Sequence, residues 1–131
     1  MRYLETDEVI LIHERVLDQS GGARGVREYG LLDSAVARPR ATFGGREAYH
    51  DLFAKTAALG HSLALNHPFV DGNKRTAWEA MHTFIEENGY SLLATTDEIV
   101  ELVFGIEDKT MGLEEIAAWL KAHAKKAGDR L

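Results

Sequence analysis

Nine consecutive residues, His67-Pro68-Phe69-Val70-Asp71-Gly72-Asn73-Lys74-Arg75, bring together an imidazole, a carboxylate, a glycine, an amide and two cations. A loop between two helices needs only turn residues, so this density of reactive groups points to a site. Histidine is the side chain best suited to taking a proton near neutral pH, which makes His67 the candidate general base. A helix starting after Gly72 leaves about four backbone N–H groups unpaired and carries roughly half a positive charge at that end. Gly72 would let the backbone come close to a ligand, and Asn73, Lys74 and Arg75 follow in the first turn. Cations there cost the helix about 0.3–1 kcal/mol each. A bound anion reverses that cost, and a phosphate chain is the natural candidate. Asp71 beside phosphates suits Mg²⁺, which takes one or two carboxylates plus phosphate oxygens. Base, metal ligand and anion cradle together describe phosphoryl or nucleotidyl transfer from a nucleotide.

Taken singly, each residue has a plainer use. His67 would serve as a packed histidine, Asp71 as a helix cap, Asn73 as a turn residue, and Lys74 and Arg75 as solvated charges. Phe69 is expected in the core, anchoring the loop. It is the joint arrangement that carries chemistry.

Helical periodicity supplies the elements that must hold this loop. From Thr6 to about Asp18, Val9, Ile12, His13, Val16 and Leu17 share one face. His13 on that stripe is expected to be a hydrogen-bonded core histidine. Gly21-Gly22 breaks the helix, and Gly25 and Gly30 extend the loop. A short helix over Leu31 to Arg38 should stop at Pro39, which disfavours helical geometry in the residue before it. Residues 41–46 suggest a mobile loop or short hairpin. The next stripe, Tyr49, Leu52, Phe53, Thr56, Leu59, Gly60 and Leu63, marks a central helix. Its small residues Ala57, Ala58, Gly60 and Ala64 would admit a close neighbour. It should end at Asn66-His67, before Pro68.

The helix after the loop should run from Gly72-Asn73 to Asn88, with Gly89 as its left-handed stop. Its buried stripe would be Trp78, Met81, Phe84 and Ile85. Thr95-Thr96-Asp97-Glu98 matches a capping box for a helix carrying Ile99, Leu102, Val103 and Ile106. A last amphipathic helix, about Leu113 to Lys125, would bury Ile116, Ala117, Trp119 and Leu120. No repeat, linker or run of alternating strands is present. The pattern predicts a single all-α bundle.

Composition narrows the function. With 131 residues the chain is the size of one domain, and 45% hydrophobic with two prolines is not a disordered composition. No apolar run approaches the roughly 20 residues of a membrane span, and the polar start resembles no signal peptide, so a soluble, cytoplasmic protein is expected. Cysteine is absent, which excludes disulfides and thiolate chemistry. No His-Glu-x-x-His pair and no phosphate-binding P-loop motif occurs. A net charge of −6 gives no general pull toward nucleic acid or anionic membrane. That charge is uneven: residues 21–50 hold five arginines against three acids, and residues 76–115 hold ten acids against the single Lys109. Solvated helix faces account for the acidic run.

The segment from His67 to Ala77 resembles the signature of the Fic/Doc family in its death-on-curing form, with pattern H-x-F-x-[DN]-[AG]-N-K-R. Every fixed position matches. Gly30-Leu31-Leu32-Asp33-Ser34-Ala35 and Glu87-Asn88-Gly89-Tyr90 also look like the family, so the likeness covers most of the chain. It implies one Fic-fold helical domain over 1–131, with a family-like core at about 3–90 and C-terminal helices at about 95–126. By analogy, His67 would deprotonate a target hydroxyl, Asp71 would hold Mg²⁺, and Gly72, Asn73 and Arg75 would bind phosphates. The 41–50 segment would resemble the flap that holds the target.

Members that transfer AMP typically have glycine where this chain has Lys74, whereas Doc-type members have lysine. The resemblance therefore implies an inverted ATP presenting its γ-phosphate, hence a protein kinase. It further implies a toxin that acts on elongation factor Tu, blocks translation and is neutralised by a Phd-type antitoxin. Two positions depart from the Doc pattern, Leu65 and Gln19, where arginines are expected; Arg24 and Arg27 are the candidates to replace them. Thr83 to Asn88 matches the short pattern of Fic inhibitory helices, but within the motif's own helix it cannot fold back onto Arg75. AMP transfer, or a helical binding module without turnover, are the alternative functions.

Overall fold

The structure, a computed structural model, describes residues 1–127. Six α-helices make up most of it: α1 (Thr6–Ser20), α2 (Tyr29–Ala37), α3 (Leu52–Asn66), α4 (Asn73–Glu87), α5 (Thr96–Glu107) and α6 (Leu113–His123). One short strand pair lies between α2 and α3, and a second joins the α4–α5 connection to the segment after α6. The expected all-α class holds, and none of the described helices is long and apolar enough to cross a membrane.

Helix α3 lies at the centre, packed against α4 and α6 and flanked by α2 and α5. The small residues explain how. Ala57, Ala58 and Ala64 are fully buried, and at Gly60 a Cβ would stand 2.7 Å from Met81 Cγ of α4. Helix α4 turns Ala77, Met81, Phe84 and Ile85 into the same core, while α1 adds Val9, Ile12, Val16 and Leu17. Thr95 caps α5 as its sequence suggests: Thr95 Oγ1 accepts from the Glu98 amide at 3.2 Å, and Glu98 Oε1 accepts from the Thr95 amide at 2.8 Å.

Three local expectations need correction, at Gly30, at Arg38 and at the end of the last helix; Gly30 lies within α2 and does not extend the loop before it. Arg38 keeps helical dihedrals (φ −54°, ψ −41°) despite preceding Pro39, and Arg38–Arg40 form a 3₁₀ turn after α2. The Arg38 guanidinium is tied to Tyr49 Oη and Ser62 Oγ at 2.8 Å each, and this tertiary anchoring outweighs the local preference. Residues 41–50 resolve into a hairpin, β1 (Thr42–Phe43) paired with β2 (Arg46–Glu47) across Gly44 and Gly45, both at positive φ. Its foot is held by the buried Lys55, whose Nζ donates to Glu47 Oε1 and to the Pro39 carbonyl at 3.2 Å each.

The last helix ends at His123 rather than Lys125. Ala124–Lys126 form β4, antiparallel to β3 (Tyr90–Leu92). Ala-Lys-Lys is a good helix former by itself, but backbone pairing with a segment more than thirty residues earlier decides its conformation.

His123 marks the changeover. Its Nδ1 lies 2.7 Å from the Trp119 carbonyl and its Nε2 lies 2.9 Å from Glu98 Oε2. Both partners are acceptors, so this arrangement favours the protonated ring, in which both nitrogens donate. Burial works to lower the His123 pKa, but the Trp119 carbonyl and Glu98 outweigh it and the net shift is upward. The Thr95 amide, then His123, hold Glu98 below its ordinary value. A raised histidine contributes stability below about its usual pKa of 6.5 and loses it as pH rises through the folded value. A lowered glutamate contributes above its usual 4.5 and loses it as pH falls through the folded value. The pair is therefore strongest between these limits. Melting temperatures across pH should show an alkaline-side decline that His123→Gln reduces; identical pH profiles would remove the link.

Candidate active site

The chain leaves α3 through His67, which adopts left-handed dihedrals (φ 49°, ψ 58°). Pro68 makes the right-handed helical region unfavourable for it. A side-chain-bearing residue in the left-handed region costs about 1–2 kcal/mol, so the turn needs external support. Arg27 provides it: Nε donates to the His67 carbonyl at 2.7 Å, and a terminal nitrogen donates to the Asn66 carbonyl at 2.9 Å. The amides of Arg27 and Glu28 also donate to the Pro68 carbonyl, at 2.7 and 3.0 Å. His67 itself is exposed.

The next residues are pinned from below. Phe69 is 1% exposed and stacks on His13 of α1, with ring centroids 3.9 Å apart and planes 7° from parallel. His13 Nε2 donates to the Asp71 carbonyl at 2.8 Å, so the buried histidine expected in the core braces the motif loop. Asn73 uses its whole side-chain amide on Phe69: Oδ1 accepts from the Phe69 N–H and Nδ2 donates to its carbonyl, both at 2.9 Å. Its side chain thus shapes the loop.

Gly72, at φ 75°, begins α4. A Cβ there would meet Leu17 Cδ2 at 3.3 Å and Val16 Cγ1 at 3.6 Å. Glycine is needed because the loop presses on α1 in a left-handed conformation, a reason different from the close ligand approach that sequence suggested. The amides of Asn73, Lys74 and Arg75 have no acceptor among the described residues; the first helical bond runs from the Thr76 amide to the Gly72 carbonyl. Thr76 Oγ1 in the same turn is buried without a partner among those residues.

The two cations diverge. Lys74 Nζ pairs with Glu107 of α5 at 3.1 Å and lies 4.9 Å from the Phe104 ring centroid. Arg75 has no carboxylate partner among the described residues, only a long 3.4 Å contact to Gln19 Oε1. The candidate replacements for the missing arginines are occupied elsewhere. Arg24 pairs with Asp18 at 2.7 Å, and Arg27 holds the end of α3.

Asp71 is exposed, with Oδ1 accepting from the Gly72 amide at 2.8 Å and Oδ2 from the Ala23 amide at 3.2 Å. Each oxygen keeps a lone pair for a cation. No group of three or more potential metal-ligating side chains exists among the described residues. A magnesium ion fits this donor set only if phosphate oxygens and water complete its shell, which is its usual manner of binding.

Sequence reasoning offered Arg27 as a replacement for a missing arginine and Gly22 as a helix breaker, and gave the Ala23 amide no role. A Cβ on Gly22 would fall 2.9 Å from Asp71 Oδ2, so the glycine pair lets the backbone reach the carboxylate. The glycines were visible; their target lies about fifty positions away and was not.

Comparison with known proteins finds relatives across most of the chain. Residues 3–85 match the model of the Fic/DOC family. The chain is 45% identical over 127 residues to Toxin Doc of Mycolicibacterium smegmatis, covering 95% of each chain. It is 27% identical over 121 residues to Protein kinase doc of Escherichia phage P1, covering 92% of this chain and 94% of that one.

Proposed function

Because the chain belongs to the Fic/Doc family, we propose that it is a Doc-type toxin that moves the γ-phosphate of ATP to a Ser or Thr hydroxyl of a protein. The observation that carries this reading is the exposed His67 imidazole, held in a left-handed turn before the open amides of α4 and an Arg75 with no acidic partner among the described residues. In the reaction His67 takes the proton of the target hydroxyl as its oxygen attacks the γ-phosphorus. The new P–O bond forms while the bond to the β–γ bridging oxygen breaks, and ADP leaves. The α4 amides and Arg75 stabilise charge on the phosphates. Magnesium held by Asp71 would neutralise phosphate charge. Gly72, Asn73 and Lys74 belong to the same phosphate-facing turn.

The proposed target is elongation factor Tu, which places the action in the cytoplasm, and the proposed partner is a Phd-type antitoxin. The full chain incubated with the factor and γ-labelled ATP should label the factor. Label from the α-position would mean AMP transfer instead. No label from either nucleotide, with elongation factor Tu or in a cell lysate, would favour a binding module and defeat the kinase reading.

A further inference from the structure

We propose that the open cavity between α2, α3 and the foot of the hairpin binds a carboxylate side chain of the protein acceptor through Arg38, and so selects acceptors with an Asp or Glu close to the modified hydroxyl. The assignment rests on the transfer reading above. The cavity has a volume of about 600 Å³, and Ser34, Ala37, Arg38, Ala41, Ser62 and Asn66 line it. None of these residues belongs to α4, so the cavity is separate from the amides and cations proposed for phosphate. Asn66 precedes His67 in the chain, and Ser62 stands a little over one turn before it, roughly 7 Å along the helix axis. That is the reach of about two extended residues, so a side chain bound there lies close in sequence to a hydroxyl placed at His67.

Arg38 is the one charged residue in that lining, and it is half-buried among neutral partners. Its Nε donates to Tyr49 Oη at 2.8 Å, and one terminal nitrogen donates to Ser62 Oγ at 2.8 Å and to His61 Nδ1 at 3.2 Å. An arginine N–H only donates, so His61 Nδ1 accepts and the ring is neutral. Burial, and then the Arg38 charge, hold His61 below its ordinary pKa, in keeping with that form. The other terminal nitrogen of Arg38 has no partner among the described residues, and no carboxylate among them pairs with the guanidinium. Arg24 and Arg40, from the same arginine-rich stretch, do have acids, Asp18 and Glu5. Withdrawing a charge from water is offset by an opposite charge, so the free edge of Arg38 suits an anion. A single cation matches the charge of a carboxylate, whereas a phosphate dianion would leave one negative charge over.

The test measures γ-label transfer by the full chain to elongation factor Tu, or to the lysate protein that takes up the label instead, with kcat and the KM for that acceptor separated. Arg38→Gln removes the charge and should raise the KM about tenfold with kcat within about twofold, and Arg38→Lys should recover part of the loss. Arg38 also anchors the turn after α2, so a second pair of variants leaves it in place. Ala37 is exposed at the end of α2. Ala37→Glu sets a carboxylate beside the guanidinium to compete with the acceptor's and should raise the KM in the same way, whereas Ala37→Gln, of the same size, should not. On the acceptor, exchanging one Asp or Glu near the labelled residue for its amide should reproduce the Arg38→Gln effect and add nothing when combined with it. An unchanged KM in Ala37→Glu, equal effects of Ala37→Glu and Ala37→Gln, or no acceptor acid coupled to Arg38 overturns the subsite while transfer by the wild type stands. If the wild type transfers no γ-label to any protein, the transfer reading fails and the subsite falls with it.

Discussion

His67→Ala should lower γ-phosphate transfer by about 10²–10⁴-fold, the usual contribution of a positioned general base. The imidazole is exposed and forms no side-chain hydrogen bond among the described residues, so its removal leaves no buried partner unsatisfied. The turn is held through the His67 carbonyl by Arg27 and through Phe69 by Asn73 and His13, all of which remain. The melting temperature should therefore change little, and nucleotide affinity should persist because the α4 amides and Arg75 are untouched. A rate loss with unchanged nucleotide binding separates chemistry from folding. Activity within about threefold of wild type would show that proton abstraction by His67 contributes little, since that ratio corresponds to under about 1 kcal/mol of transition-state stabilisation.

Gly60→Ala should destabilise the fold, and Gly30→Ala should stabilise it, although both glycines lie in helices. In each, alanine restricts the unfolded chain and gains about 0.5–1 kcal/mol. At Gly30, in α2, the nearest heavy atom to a new Cβ is Glu28 Oε1 at 3.9 Å, so that gain survives. At Gly60 the Cβ would fall 2.7 Å from Met81 Cγ and 2.9 Å from its Cε. Met81 is fully buried between helices, so its side chain can give way only by displacing core neighbours. Overpacking of this kind costs about 1–3 kcal/mol, which exceeds the local gain and separates α3 from α4. The displacement reaches the site, because those two helices position the loop from His67 to Gly72. Denaturant unfolding of the two variants should give shifts of opposite sign; shifts of the same sign would mean that the α3–α4 seam has slack.

Much of the architecture follows from local patterns. The buried stripes of α1 and α4 lie where their spacing places them, because amphipathic burial is a property of a few consecutive turns, whereas α3 starts after Tyr49 and is buried on most sides, with Phe53 and, in α5, Ile99 only half-buried. The Thr95 capping box is equally local, contained in four residues. Small residues at Ala57, Ala58, Gly60 and Ala64 mark the helix that others approach, and α3 is that helix. The loop of reactive residues falls between α3 and α4, its ends marked by Pro68 and Gly72.

Other features depend on partners remote in sequence. The 3₁₀ turn at Arg38–Arg40 persists because Tyr49 and Ser62 hold the guanidinium, and neither partner belongs to the local pattern. Ala124–Lys126 leaves the helix because Tyr90–Leu92 offers unpaired backbone. At the site, residue types alone expressed the chemistry: a base, a carboxylate, amides at a helix start and two cations. Only folding distributes them. It sends Lys74 to Glu107, leaves Arg75 without an acid among the described residues, commits the Asn73 side chain to Phe69, and brings Arg27 to the His67 carbonyl. Periodicity and residue type are short-range properties that a sequence states directly. The partner of an individual charge or carbonyl is set by which helices pack together, and that exists only in the folded chain.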